Sequence, residues 1–298
     1  MIAEKPSILI VVNPISGGKS KKRFIFIARN YFKEYFDVQW LFWKKPDQKI
    51  PEEIRSEISK RKYYCVVAAG GDGTVNQTAR GLTGTDVPMG IIPLGSGNGL
   101  ARHLGYRIKI KEAMEIIHRG KTLTMDAAHV NNEMFFCSSG TGFDAHIGHV
   151  FAGLGKRGPA RYVQSIVMEL HKYVPKEYKI TIDGKAHFCK AFLITVANAG
   201  QYGNNAWIAP KASLQDGLLD VIIIHPFSVI NAPDLAVKLF RKRIDKNHKV
   251  ESFRAKEIFI EETGSINPLP VHFDGEPAMM QGPLKFTIDH AAVKVMVP

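Results

Sequence analysis

Cysteine is scarce in this sequence. Three residues in 298, Cys65, Cys137 and Cys189, stand far apart and show no metal-ligand spacing. That pattern argues for buried thiols in a reducing compartment. No apolar run is long enough to span a bilayer, and no charged leader precedes an apolar segment, so a cytoplasmic chain with at most peripheral membrane association is expected. Internal repeats and low-complexity linkers are also missing, which suggests two closely packed domains with a cleft between them. Acidic residues are in deficit: 28 Asp and Glu stand against 40 Lys and Arg, a formal net charge of +12. An anionic partner follows, whether nucleotide, acidic lipid surface or nucleic acid. Aromatic residues are not interleaved with the basic clusters as stacking platforms require, so nucleic acid is not the expected partner.

What is present centres on Tyr64 to Leu82, YCVVAAGGDGTVNQTARGL. Cys65 to Ala69 reads as a short buried strand. Gly70, Gly71, Asp72, Gly73 and Thr74 read as a turn before a helix beginning near Val75. Glycine lets a backbone approach a ligand closely, and free N–H groups at a helix N-terminus attract anions, so the junction suits a phosphate. Asp72 beside a polyphosphate makes electrostatic sense only if it binds a metal, accepts a proton or holds a hydroxyl nucleophile. An ordinary Asp-Gly turn is the competing reading.

Two further loops of this kind flank the anchor. Ser7 to Val12 reads as a first buried strand, followed by NPISGGKSKKR, in which Asn13, Pro14, Ser16, Gly17 and Gly18 make a strand-to-helix turn. It is no P-loop, because Asn13 replaces that motif's first glycine. Lys19, Lys21, Lys22 and Arg23 crowd a helix start where the dipole disfavours them, which an anion nearby would explain. After MGIIPL comes GSGNG, where Gly95, Gly97 and Gly99 permit close approach and Ser96 and Asn98 offer uncharged hydrogen-bonding groups. Strands alternating with helices imply a parallel, doubly wound sheet that binds its ligand beyond the carboxyl ends of the strands.

From about Leu123 the pattern turns to strand-like runs, so residues 1–122 are expected to form an α/β nucleotide-binding domain and residues 123–298 a mainly β domain. Only RYVQSIVMELHKYV and DLAVKLFRKRIDK read as helices there. In the second, Lys238, Arg241, Lys242, Arg243 and Lys246 lie beside Leu235, Val237, Leu239 and Phe240. A core-facing stripe with a solvated charged face is the favoured reading, over a face that rests on an anionic membrane. Acidic or amide residues beside glycine recur at Asp144, Asn198, Asp216, Asp274 and Glu276, and together suggest a phosphate site with hard oxygen ligands for magnesium. Each is also readable as a hairpin turn, and for Asp183 the turn is preferred.

In this order NPISGG, GGDGT, PLGSGN, GFD, NAGQYG, DGLLDV and DGE resemble, through nearly the whole chain, the diacylglycerol kinase catalytic-domain family, which includes bacterial lipid kinases and sphingosine kinases. The resemblance implies an N-terminal ATP-binding α/β domain like that of phosphofructokinases and NAD kinases. It also implies a C-terminal β-sandwich domain for the lipid, with about ten final residues returning to the first domain. It makes Asn13, Pro14, Ser16, Gly17, Gly70, Gly71, Asp72, Gly73, Thr74, Asn76, Ser96 and Asn98 contacts for ATP. Asp216, with carbonyls near Ser213 and Leu218, resembles the magnesium site. Glu276 is the usual proton acceptor in bacterial members and Asp72 in sphingosine kinases; both stand as candidates here.

The expected reaction is therefore transfer of the γ-phosphate of ATP to a hydroxyl of diacylglycerol, a sphingoid base or phosphatidylglycerol at an anionic membrane surface, with a homodimer left open. Two departures bear on activity: Gln77 stands where the family usually has Glu, and Gly99 where many bacterial members have Asp. NAD phosphorylation is the second enzyme reading. A nucleotide- or membrane-binding protein that has lost transfer activity is the non-enzyme one.

Overall fold

Ser7–Val12 forms β1 because the five apolar residues Ile8 to Val12 are buried on both faces, as a central parallel strand requires. The computed structural model describes residues 5–14, 20–45, 47–153 and 159–298. After α1 (Lys22–Phe32), β2 (Asp37–Phe42) pairs parallel with β1; after α2 (Ile50–Lys60), β3 (Cys65–Gly70) pairs with the other edge of β1. A third helix, α3 (Asp72–Leu82), leads to β4 (Met89–Pro93), parallel to β3. Two more helices follow, the short α4 (Gly99–His103) and α5 (Ile110–Arg119). α5 buries Ala113, Met114, Ile116 and Ile117 against the sheet and ends at Gly120, whose φ of 69° serves the left-handed helix cap. The doubly wound parallel sheet is thus present, with GGDG and GSGNG at the carboxyl ends of β3 and β4.

The chain divides into two compact units, one built from residues 1–125 and 291–298, the other from Asp126–His290. The final residues complete the first unit. Val295 pairs parallel with Met89, Val293 and Val295 are fully buried, and the Tyr106 hydroxyl donates to the Met296 carbonyl at 2.8 Å. β5 (Thr122–Val130) carries the chain into the second unit.

That unit is an antiparallel β-sandwich. Its elements are β6 (Glu133–Phe135), β7 (Ser138–Gly142), α6 (Phe143–Gly153), α7 (Pro159–Leu170), β8 (Lys176–Ile182), β9 (Lys185–Ala191), β10 (Leu193–Ala197), β11 (Gln201–Gly203), β12 (Ala206–Trp207), β13 (Leu219–Ile224), α8 (Ala232–Phe240), β14 (Val250–Ala255), β15 (Glu257–Glu262), β16 (Leu269–Phe273), β17 (Glu276–Met280) and β18 (Leu284–Met296). One sheet runs β14-β13-β10-β7-β16-β17. In the other, β15 pairs with β8 and with the first part of β18, and β8 pairs with β9.

β13 shows how both faces of the first sheet are covered. Leu219, Val221 and Ile223 enter a core with Ile180, Ile258 and Phe286 of the facing sheet. Ile222 and Ile224 point the other way, to Ile147 of α6 and Leu235 of α8. The sequence pattern missed α6, whose first residues, Phe143 and Asp144, had been expected in a loop. A helix of mostly apolar residues has no polar stripe to reveal its period.

Candidate active site

In the first unit the sequence-predicted loops meet at glycine. A Cβ on Gly95 would lie 2.4 Å from Gly71 Cα, so the loops after β3 and β4 approach each other with no room for side chains. Asp72 stands in the first turn of α3 and fastens them. Its Oδ2 accepts from the Asn98 N–H at 2.9 Å and its Oδ1 from the Gly99 N–H at 2.6 Å. These are the orphan donors at the start of α4, so Asp72 caps one helix while beginning another. Asn98, at φ 51°, closes the same loop: its side chain accepts from Gly95 N–H and donates to the Gly95 carbonyl.

Around this clasp Ser96 is exposed, Gly70 is buried, Gly71 and Gly73 are half-buried, and Thr74 and Asn76 are buried in α3. Asn13 follows β1 half-buried and Pro14 is exposed, while Ser16 and Gly17 lie outside the described residues. Gly99, at the place of an acid in many relatives, has its N–H taken by Asp72. Gln77 lies half-buried on α3 beside Asn76.

In the second unit two residues of the DGE motif divide the work. Asp274 and Gly275 have φ of 49° and 85° and join β16 to β17 in a two-residue hairpin. The Asp274 carboxylate turns inward and accepts from three backbone N–H groups, Phe136 at 2.9 Å, Cys137 at 2.7 Å and Ser138 at 3.2 Å. Glu276, one residue past the turn, is exposed and makes no hydrogen bond or ion pair among the described residues. One acid is a brace and the other a free carboxylate.

Asp144 and Asn198 are also interior. Asp144 Oδ2 accepts from Thr195, Tyr202 and His272 at 3.0–3.1 Å, and Asn198 donates to the Asp126 and Phe136 carbonyls. Of the acidic loop residues that suggested hard oxygen ligands for magnesium, Asp144 and Asp274 spend oxygens on donors within the fold. Asp183, with φ 43°, sits in the β8–β9 hairpin as expected.

The Ser213–Leu218 loop is held by a residue that sequence reading passed over. Asp126 is fully buried; its N–H donates to the Leu214 carbonyl at 2.7 Å and its Oδ2 accepts from Gly217 N–H at 2.8 Å, while Oδ1 meets His290 Nδ1 at 2.8 Å. On the loop, Asp216 accepts from the Leu218 N–H and pairs with Arg254. Asp220, also missed, is buried with Oδ2 lacking any hydrogen-bond partner and with Arg254 Nε 3.9 Å away. Burial pushes its carboxyl up to about 6, against the pull of Arg254 and with a further push from Asp216. The signal for both acids was a carboxylate inside an apolar strand, TLTMDAAHV and LLDVIII, since such a charge is rarely buried without a task.

Among the described residues no group of three or more His, Cys, Asp or Glu is gathered to hold a metal. A magnesium ion still fits the loop. It takes one or two carboxylates and keeps its waters, and the loop offers Asp216, paired with Arg254, beside the buried Asp220, whose Oδ2 has no hydrogen-bond partner.

The comparisons with known proteins agree with this division. Residues 7–130 match the family described as "Diacylglycerol kinase catalytic domain", and residues 137–297 that described as "YegS C-terminal NAD kinase beta sandwich-like domain". A diacylglycerol kinase of Mycobacterium tuberculosis is 30% identical over 233 residues, covering 72% of this chain and 75% of that one. A probable lipid kinase YegS-like of Chromohalobacter salexigens is 28% identical over 230 residues, covering 75% and 73%. The crystal structure of a putative diacylglycerol kinase from Bacillus anthracis str. Sterne superposes with a TM-score of 0.78 at 22% identity over 98% of this chain and 97% of that one, a likeness of fold.

Proposed function

Because this chain belongs to the bacterial diacylglycerol kinase and YegS-like family of ATP-dependent lipid kinases, we propose that it transfers the γ-phosphate of ATP to the free hydroxyl of a diacylglycerol-type lipid. The observation that carries the reading is Glu276, an unpartnered carboxylate held next to a turn that Asp274 pins to three backbone N–H groups. The Mycobacterium tuberculosis relative's name, diacylglycerol kinase, supports the choice of lipid.

The glycine loops after β3 and β4 hold the phosphates by backbone N–H groups, with the Asn13 turn on the same side of the sheet. Asp72 fixes those loops through Asn98 and Gly99 rather than facing the substrate with a free carboxylate. Glu276 accepts the proton as the lipid oxygen bonds to phosphorus and the bond to the ADP oxygen breaks. Asp216, with the carbonyls near Ser213 and Leu218, would hold magnesium, which when bound neutralises phosphate charge. Asp126 keeps that loop in place.

The test is transfer of labelled γ-phosphate from ATP and magnesium to a panel of diacylglycerol, sphingosine and phosphatidylglycerol in mixed micelles, with NAD as soluble control. Label on diacylglycerol that falls by about 10²–10⁴ in Glu276→Gln, with ATP affinity intact, is the expected result. Label on NAD alone, or a fully active Glu276→Gln, overturns the reading. Asp72→Asn should instead weaken nucleotide binding, because an amide cannot accept two N–H groups as a carboxylate does.

A further inference from the structure

The helix α8 and the turn before it carry apolar residues on two faces, and only one is covered. Leu235 and Ile244 are buried, and Leu239 packs partly against the same core beside β13. On the opposite side Ile230 is 87% exposed, Val237 49% and Phe240 57%. Val237 and Phe240, three apart, share the outward side of α8, and Ile230 is exposed on the 3-10 turn that leads directly into it. Pro233 lies on the same side at the helix start. A helix whose second apolar stripe faces water is costly to keep on a solvated surface unless something covers it.

The charges beside the stripe say what would cover it. Residues 229–249 hold Lys238, Arg241, Lys242, Arg243, Lys246 and Lys249 against only Asp234 and Asp245. Both acids are occupied: Asp234 pairs with Lys238 and accepts from Asn247, and Asp245 pairs with Lys211. Lys242 places its ammonium 3.6 Å above the Trp207 ring. Arg241, Arg243 and Lys246 are exposed and make no ion pair among the described residues. Exposed apolar side chains continuous with unpaired cations, where the helix gives way to Arg241–Arg243, are complementary to acyl chains below a layer of anionic headgroups.

We propose that the outward face of α8, Ile230, Val237 and Phe240 with Arg241, Arg243 and Lys246, is a docking surface for an anionic lipid bilayer. No helix in the described residues is long and apolar enough to cross a membrane, so this contact lies in the interface and is reversible. It goes beyond the transfer reaction, because it requires neither ATP nor the groups that move the proton.

The experiment is co-sedimentation of the full chain with vesicles of phosphatidylcholine and phosphatidylglycerol in equal parts, and with pure phosphatidylcholine. It is run beside transfer to a short-chain diacylglycerol that stays monomeric in water. Binding should prefer the anionic vesicles and fade with salt. Both Val237→Ser with Phe240→Ser and Arg241→Gln with Arg243→Gln should lose about tenfold or more in vesicle affinity, with transfer to the monomeric lipid at the wild-type rate. Vesicle binding unchanged in both double variants overturns the proposal. So does loss of transfer to the monomeric lipid in the apolar variant, which would make the stripe structural. A dimer in sedimentation velocity that dissociates in that variant assigns the face to a second copy and likewise overturns it. If the wild type binds vesicles as described but phosphorylates no diacylglycerol, the docking surface stands and the proposed reaction fails.

Discussion

Asp274 and Glu276 have the same chemistry and stand two positions apart, yet the fold gives them opposite tasks. The first accepts three backbone hydrogen bonds, so Asp274→Ala should leave three N–H groups unmet and cost about 3 kcal/mol of stability in chemical denaturation. The Glu276 side chain makes no hydrogen bond or ion pair among the described residues, so Glu276→Gln should change the midpoint little while transfer falls. A comparable loss of stability in both variants would contradict the division. Asp220 predicts a pH effect. Its folded-state pKa of about 6 lies above the value of about 3.9 expected in the unfolded chain. The folded protein therefore binds the proton more readily. The cost of the buried charge is present in full above pH 6 and is relieved as the pH falls toward 4. With EDTA present, Asp220→Asn should be more stable than wild type near pH 7, by about 3 kcal/mol at most, and the gap should close near pH 4. A gap that widens on acidification would refute this account.

Among the elements, the two glycine loops are the least tolerant of a side chain. Gly95→Ala would push a methyl to 2.4 Å from Gly71 Cα, where the other atom is backbone and cannot swing away. The loops must then separate, breaking the Asp72 bonds to Asn98 and Gly99. About a hundredfold loss of transfer is expected, with nucleotide binding measured calorimetrically also weakened. By contrast Gly275, at φ 85° with open space around it, is needed for its backbone angle alone. Strand β3, both glycine loops and the hairpin at Asp183 were legible because each is written in local terms, an apolar run, then residues suited to a turn; at Asp274 the hairpin was only one of two readings the sequence left open. Helix α6 was not, nor β9, a strand of mixed Lys, His and Cys with no clear alternation. α8 was read half correctly. Periodicity gave the helix and its buried Leu235, while which further apolar residues stay exposed depends on where the core ends.

For the whole molecule, the return of the chain end is the feature with the largest consequence. Val293, Val295 and Met296 are buried in the first unit, Val297 donates to the Lys121 carbonyl, and Tyr106 is anchored on Met296. Deleting Ala291–Pro298 should therefore raise amide exchange in β4 and α5 before it affects β10 and β13, and should weaken ATP binding at GSGNG. Exchange raised first in the β13 sheet would show that these residues stabilise the second unit instead.

The order and content of the motifs were fixed by sequence alone, as were the parallel α/β architecture of the first half and the β-rich second. Periodicity and glycine-bounded turns are local properties, and local properties survive in one dimension. The tertiary structure decided which carboxylates are spent inside the fold and which remain available. Asp72, Asp126, Asp144 and Asp274 are occupied by partners as far as 164 positions away in sequence, while Glu276 is left exposed. Asp126 alone carries a sequence signal, a carboxylate inside an apolar strand; nothing in the one-dimensional pattern distinguishes Asp72, Asp144 and Asp274 from Glu276, because a carboxylate's role depends on the donors the fold brings within about 3 Å of it.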